Sequence, residues 1–460
     1  MTHKIIPIFS AFLLAFLSGC AAQTEQSVPE NAAFCDDITK HVQQVEQLHV
    51  ASGTTDCTPD DTETAAYHYD TVYGMWFPYL DYGEILAGKT ADQFRDAVRQ
   101  RFQQVADMGI NTVYLHLRAF GDAYYQSALF PPAKEVGDYD PFSILLEEAH
   151  QLHLSVHGWV NPLRLQKDSA MAAMPDSYPV KQWYSDPQKN GTYLCKVGEY
   201  WWLNPAYPEV RQLVADGVAE ILAQYHVDGI HLDDYFYPGT DFNDAAAYER
   251  YGADFDDIDD WRRDNVNDLI ATLDETLHAI NPELAFGVSP AGIWDNKSDN
   301  PKGSETNGRS SYREIYCDSV EWIKRGTVDY ICPQLYWSIG YEIADFEVLV
   351  DWWQDVVSTS DVALYIGIGA YRAAEAEPGD IWYGTAELER QLEMLDNSID
   401  IQGEVFFSYS SLMDVQGCSD FLAAHYEVQG SEPSAPITED TGKQASLLDY
   451  VTRFIVSLFY

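Results

Sequence analysis

The segment DGIHLDDYFYP, Asp228 to Pro238, puts two adjacent carboxyl groups directly after an alternating run. Side chains of a strand alternate between faces, so Gly229, His231 and Asp233 share one side while Ile230 and Leu232 share the opposite, apolar one. The apolar side must meet helices. Asp233 is therefore expected to point into the mouth of a barrel with His231 one layer below, and Asp234 to orient a neighbour or a loop. A carboxyl so placed suits glycosidic bond cleavage, which ordinarily uses one group to protonate the leaving oxygen and another as nucleophile or activator of water. Asp122, in RAFGDAYY, is the first choice for the partner acid, with Asp81, Asp295 and Asp234 as alternatives. Turn and cap acids share these spacings. For Asp233 the structural alternative is an ion pair with Arg118 or Arg164.

Other polar and aromatic residues crowd the same strand ends. Arg118, His157, Asn161, Arg164, His231 and Gln334 are read as substrate-binding, together with Tyr235, Tyr237, Trp294, Tyr336 and Trp337; Trp201 and Trp202 lie nearby. Indole and phenol rings pack on the apolar faces of pyranoses and keep a polar edge for hydroxyls. A different chemistry is also open, because His116, His157 and His231 fall on the inward phase of three consecutive strands. Three histidines with an aspartate can hold zinc, as in a metal-dependent hydrolase such as a polysaccharide deacetylase. These histidines sit below the strand tips, however, so no metal and no other cofactor is expected. A non-catalytic glycan-binding barrel is the third alternative.

Such residues need a scaffold that gathers strand ends. Eight strand candidates occur: TVYGMWFPYLDY from 71, NTVYLHLRAF from 111, LSVHGWVNPL from 154, VDGIHLDDYF from 227, LAFGVSPAGIW from 284, VDYICPQLYW from 328, ALYIGIGAYR from 363 and GEVFFSYSSL from 403. Amphipathic stretches separate them. Thr90 and Gln93 form a capping box ahead of Phe94, Val98, Phe102 and Val105. Val210, Leu213, Val214 and Val218 make a second stripe after Pro208, and Val266, Leu269, Ile270 and Leu273 a third. The pattern predicts an α/β fold, a single (β/α)₈ TIM barrel, with working residues at the C-terminal strand ends. A doubly wound open sheet uses the same units, but no glycine-rich phosphate loop follows the first strand.

Residues 1–20, with an apolar run from Ile5 to Leu17 and the ending LSGC, read as a lipoprotein signal peptide, Cys20 being the lipid attachment. A plain cleaved signal is the alternative. Residues 21–66 form a polar tether, 67–424 the barrel, and 425–460 a linker and an amphipathic segment through Leu447, Val451 and Ile455. This organisation predicts an exported lipoprotein held to a membrane by its lipid, on the extracytoplasmic face. A net charge of −46 sets aside nucleic acid as a partner. Of seven cysteines, Cys35 and Cys57 could pair and Cys332 reads as core.

Seven collinear strings carry a resemblance: NTVYLHLRAFGDAYYQSALFPP, YDPFSILLEEAHQLHLSVHGWVNPLR, WWLNPAYPEVRQLV, DGIHLDDYFYP, DWRRDNVNDLI, FGVSPAGIW and DYICPQLYW. Together, from about Tyr73 to Ser410, they resemble the bacterial glycosyl hydrolase-like 10 family. The resemblance implies a TIM-barrel glycosidase, exported and often lipid-anchored, with some relatives that cut peptidoglycan glycan strands. It puts Asp233 and Asp234 at the family's signature carboxylates and matches His157, Asn161 and Arg164 to a third-strand HAWFNPYR pattern, with Leu163 in place of Tyr. HLRA stands where QVRP is common, so His116 is no family ligand. Asp122 is matched in some relatives and is Thr in others. The fourth strand is also similar to that of the α-amylase superfamily, where the nucleophile follows an inward basic residue by two positions.

Overall fold

A computed structural model describes residues 67–429. The signal segment, Cys20, Cys35, Cys57, the polar tether and the amphipathic 447–458 stretch lie outside the described residues. Eleven strands occur among those described: β1 (Val72–Phe77), β2 (Thr112–Arg118), β3 (Ser155–Val160), β4 (Arg164–Lys167), β5 (Leu194–Val197), β6 (Tyr200–Leu203), β7 (Gly229–Asp233), β8 (Ala285–Ser289), β9 (Tyr330–Ile331), β10 (Ala363–Ile368) and β11 (Gly403–Phe406). Eight of them close into a parallel barrel in the order β1-β11-β10-β9-β8-β7-β3-β2, so each of the eight expected segments supplies one stave. This is the TIM-barrel fold.

The local signals explain most of the connecting helices. Thr90 caps Ala91–Asp107 and forms the expected capping box with Gln93. Pro208 opens the helix Pro208–Gln224, and Val210, Leu213, Val214 and Val218 are buried on its inner face. The helix Ile258–Ile280 starts where the Asp257 side chain accepts from Asp259 N. No helix among the described residues is long and apolar enough to cross a membrane.

Three features depart from the sequence reading. The first strand ends at Phe77, and Pro78 turns the chain into a helix, Tyr79–Leu86, so Asp81 stands in a helical first turn rather than at a strand tip. The connection after β3 is long and carries its own antiparallel sheet, β4-β6-β5, which stands beside the barrel mouth. The last described helix, Cys418–Gln429, runs past residue 424; its Tyr426 stacks on Tyr73 with ring centroids 4.1 Å apart.

The cylinder is filled rather than hollow. Trp76, Tyr114, Trp159, Tyr330, Cys332 and Val405 form one buried cluster, and Cys332 is a core thiol as expected. Glycines make room for it: a Cβ on Gly287 would meet the Tyr330 ring at 2.2 Å, and one on Gly229 would meet His157 at 2.8 Å.

Candidate active site

The floor of the site is a hydrogen-bonded layer inside the barrel. The Tyr330 hydroxyl lies 2.9 Å from His157 Nδ1 and 3.0 Å from His231 Nδ1, bridging two strands that are not its neighbours. Trp76 Nε1 donates to His231 Nε2 at 3.1 Å. An indole N–H can only donate, so Nε2 of His231 is the acceptor and Nδ1 carries the proton. That proton goes to the Tyr330 oxygen, and the Tyr330 O–H donates onward to His157 Nδ1. Burial keeps all three inward histidines uncharged: His157 is pushed down to about 4, His116 to about 3, and His231 well below the ordinary imidazole value.

Asp233 stands one layer above, at the C-terminal end of β7, on the inward phase. Its Oδ1 accepts from Gln334 Nε2 at 3.2 Å and from the Asp234 backbone N–H at 2.8 Å. Gln334 also donates to the Ser289 carbonyl at 2.9 Å, while Ser289 Oγ lies 3.0 Å from His231 Nε2. The carboxyl layer is thus tied to the floor. Neither Arg118 nor Arg164 forms an ion pair with Asp233. Burial, and the charge of Asp234 beside it, push Asp233 up; burial also raises Asp234 against the pull of its side-chain bond to Asp233 and of Arg309. Two carboxyls this close in a dry site cannot both ionise readily, so the pair holds one proton above the usual carboxylate range.

One wall comes from the inserted sheet. Arg164 on β4 lies with its guanidinium carbon 4.5 Å from the Phe120 ring centroid, 4.5 Å from Tyr200 and 4.7 Å from Tyr235. Trp202 stacks on Tyr235 at 6.3 Å. Tyr79 packs edge-on against His116 and Phe120, linking this wall to the barrel. Across the mouth, Tyr336 packs near Tyr371 and Phe407 and remains a neutral phenol, its pKa pushed up by burial and then by Asp233.

Asp122 follows β2, and its Oδ1 accepts from Phe120 N at 3.1 Å. Burial raises it to about 6, although the backbone bonds pull the other way. Asn161 Nδ2 donates to the Ala119 carbonyl at 2.9 Å and so joins the loops after β2 and β3. Several expected sugar contacts are drawn elsewhere. Arg118 lies beneath the helix Pro208–Gln224, 4.3 Å from the Phe130 ring, where a Cβ on Gly217 would collide with its Nη1. Tyr237 is buried against Phe242 and Tyr316, and Trp294 between Tyr312 and Trp352 with its N–H on Asp318. None of these three presents a face to the mouth, because each serves a helix or loop contact. Trp337 is half-buried, against the Gly292 backbone. Trp201 donates to Asp168 at 2.6 Å within the inserted segment. Asp295 is held by Arg313 at 2.9 and 3.0 Å, an ion pair that fixes a loop.

A three-histidine metal centre would need converging nitrogens. His157 and His231 instead turn Nδ1 to the Tyr330 hydroxyl, and His116 stacks on Trp159 at 3.7 Å. Among the described residues no group of three or more His, Cys, Asp or Glu is arranged to hold an ion.

Sequence reading missed Tyr330, Trp76 and Ser289, although each has a legible phase: Tyr330 lies two and four positions before Cys332 and Gln334. It also missed Tyr79, Phe120 and Tyr200, which stand off the barrel strands, where no barrel periodicity applies.

A closed parallel barrel with a carboxyl pair and aromatic walls at its C-terminal mouth has the fold of a glycoside hydrolase-like barrel. The chain belongs to the Glycosyl hydrolase-like 10 family, whose model matches residues 74–383. It is 35% identical to "Glycosyl hydrolase YngK" of Bacillus subtilis over 367 residues, covering 76% of this chain and 70% of that one. It is 36% identical to "Glycosyl hydrolase DigH" of Escherichia coli over 331 residues, 68% of this chain and 75% of that one. Among solved structures, the PgaB (BpsB) glycoside hydrolase domain from Bordetella bronchiseptica has the same fold, with TM-score 0.53 at 13% identity over 76% of this chain and 98% of that one.

Proposed function

We propose that this protein is an exported glycoside hydrolase that cleaves O-glycosidic bonds of a polysaccharide, with peptidoglycan glycan strands as the substrate to test first. The observation that carries the reading is the Asp233–Asp234 pair beside aromatic walls, Asp233 buried and inward at the end of β7 and Asp234 half-buried just past it. Because Oδ1 of Asp233 already accepts two N–H bonds, Oδ2 is the oxygen left for chemistry. It acts as nucleophile or stabilises the developing positive charge at the anomeric carbon. Burial and the neighbouring Asp234 raise Asp233, and the two N–H bonds oppose them by favouring its charged form, the form that attacks. Asp122, a carboxyl raised to about 6, supplies the proton to the leaving oxygen. His157 and His231 hold the floor, while Asn161, Arg164, Tyr235, Gln334 and Tyr336 shape the cleft.

Export, the lipid at Cys20 and a membrane-held position on the extracytoplasmic face belong to the same proposal, supported by the LSGC segment. The test is reducing-end release from isolated glycan strands by wild type and Asp233→Asn. Wild-type release that falls by several orders of magnitude in the folded variant is the expected result. Equal release by both proteins sinks the assignment, and tight glycan binding without any release by wild type favours a binding barrel.

A further inference from the structure

Arg164 is a cation without an anion. Its guanidinium is fixed by three aromatic rings, yet it forms no ion pair with a described carboxylate, and its buried Nε has no hydrogen-bond partner there. Arg118, Arg250 and Arg372 also lack a carboxylate and lie over rings, but Arg164 is the one of them set in the wall beside the carboxyl pair, and most other described arginines are paired. Arg95, Arg99, Arg262, Arg313, Arg325 and Arg390 are all held by carboxylates at 3.0 Å or less. In a chain with 73 acidic and 27 basic residues, a guanidinium left unpaired at the mouth is conspicuous because acids to neutralise it are abundant. Ring faces hold a guanidinium by its quadrupole attraction without consuming its in-plane N–H donors.

The position of this residue matters as much as its charge. Tyr235 follows Asp234 directly in the chain, and its ring packs on Arg164, so one phenol spans the space between the carboxyl pair and the free guanidinium. Half-buried Tyr200 and buried Trp202, which stacks on Tyr235, come from β6 and complete this wall. The long-range field of a chain with net charge −46 repels an anionic glycan, so recognition of one must come from a local, preorganised cation. A planar fork that keeps its donors free is the group best matched to a carboxylate.

We propose that Arg164 forms a subsite for a carboxylate-bearing sugar next to the Asp233–Asp234 pair, making the protein selective for acidic over neutral glycans. This rests on the glycosidase reading only for its consequence in turnover; the subsite itself is a binding property. The carboxylate can come from a uronate, at C6, or from a lactyl ether, at C3, and both present the same planar anion to the fork.

The experiment uses Asp233→Asn, so that binding is measured without cleavage. Calorimetric titration compares a uronate oligosaccharide and a lactyl-ether amino-sugar oligosaccharide, each against its carboxyl-reduced, neutral counterpart. At least one acid should bind about tenfold or more tightly than its reduced form, as expected for a charge-assisted hydrogen-bonded pair. Whichever acid shows the preference identifies the source. Adding Arg164→Met should erase the difference, and adding Arg164→Lys, which keeps the charge but not the fork, should retain part of it. Equal affinity for acid and reduced forms, no binding of either acid, or a preference that survives in a folded Arg164→Met protein each overturns the proposal. If Arg164→Met fails to fold, the acid against reduced comparison with the Lys variant still decides it. A clear acid preference without cleavage by wild type would leave this subsite standing and remove the catalytic reading instead.

Discussion

Gln334 and Asp233 are joined through one amide nitrogen: Nε2 donates to Asp233 Oδ1 at 3.2 Å and to the Ser289 carbonyl at 2.9 Å. A backbone carbonyl can only accept, so the amide cannot turn over without losing both bonds. Its orientation fixes which carboxyl oxygen is occupied.

Replacing Gln334 by Met keeps most of the volume and removes the donor. A donor favours the charged form, so its loss raises the pKa of the carboxyl pair and moves the acidic limb of the kcat/KM profile to higher pH. A loss of about 10- to 100-fold in kcat/KM accompanies the shift, the worth of one hydrogen bond to a charged group. An unmoved acidic limb would mean that the pair does not govern it.

Asp122, raised to about 6, sets the opposite limb if it is the proton donor. Activity should then decline as pH rises through that region, since the acid form is the one used. Asp122→Asn should remove the decline and lower kcat by about 10²- to 10⁴-fold. A folded Asn variant that keeps both the limb and the rate assigns the acid to another residue.

Tyr330→Phe leaves the Nδ1 atoms of His157 and His231 without their shared hydroxyl. Each orphaned buried nitrogen costs roughly 1–3 kcal/mol. Urea unfolding should show the midpoint falling with an unchanged slope. A variant as stable as wild type would show that the bridge contributes nothing to the barrel interior.

Glu404, buried at the other end of the barrel, is raised to about 8 by burial, with the Tyr426 hydroxyl donating to Oε1 at 2.7 Å. A carboxyl held protonated in the fold binds more protons there than in the unfolded chain. Stability contributed in this way is full below the unfolded carboxylate pKa and is lost as pH rises towards about 8. The loss is on the order of a few kcal/mol. Melting temperature measured from pH 5 to 8 should therefore decline less in Glu404→Gln than in wild type; parallel declines would count against it.

Barrel and carboxyl pair were legible in the sequence for one reason: a strand period of two sorts residues inward or outward without knowledge of partners. It correctly sent His231 and Asp233 to the interior. Arg118 shows where that logic stops, because the pairing of β2 with β3 shifts register between His116 and Arg118, and the side chain leaves for the helix layer. Tyr237 and Trp294 failed differently. Both lie in loops beyond a strand, where burial depends on neighbours such as Tyr316 and Trp352 that sequence cannot place. The β4-β6-β5 sheet escaped notice because its strands are four residues long, too short for a pattern to declare itself.

That small sheet sits in the connection between β3 and the helix Pro208–Gln224, outside the hydrogen-bonded ring of eight strands. Arg164, Tyr200 and Trp202 ride on it, whereas Asp233, Gln334 and the Tyr330 bridge belong to the ring. On the proposed reading, choice of sugar and breakage of the bond would be housed in separable modules. Exchange of the small sheet would then retarget the protein while leaving the eight-stranded cylinder unchanged.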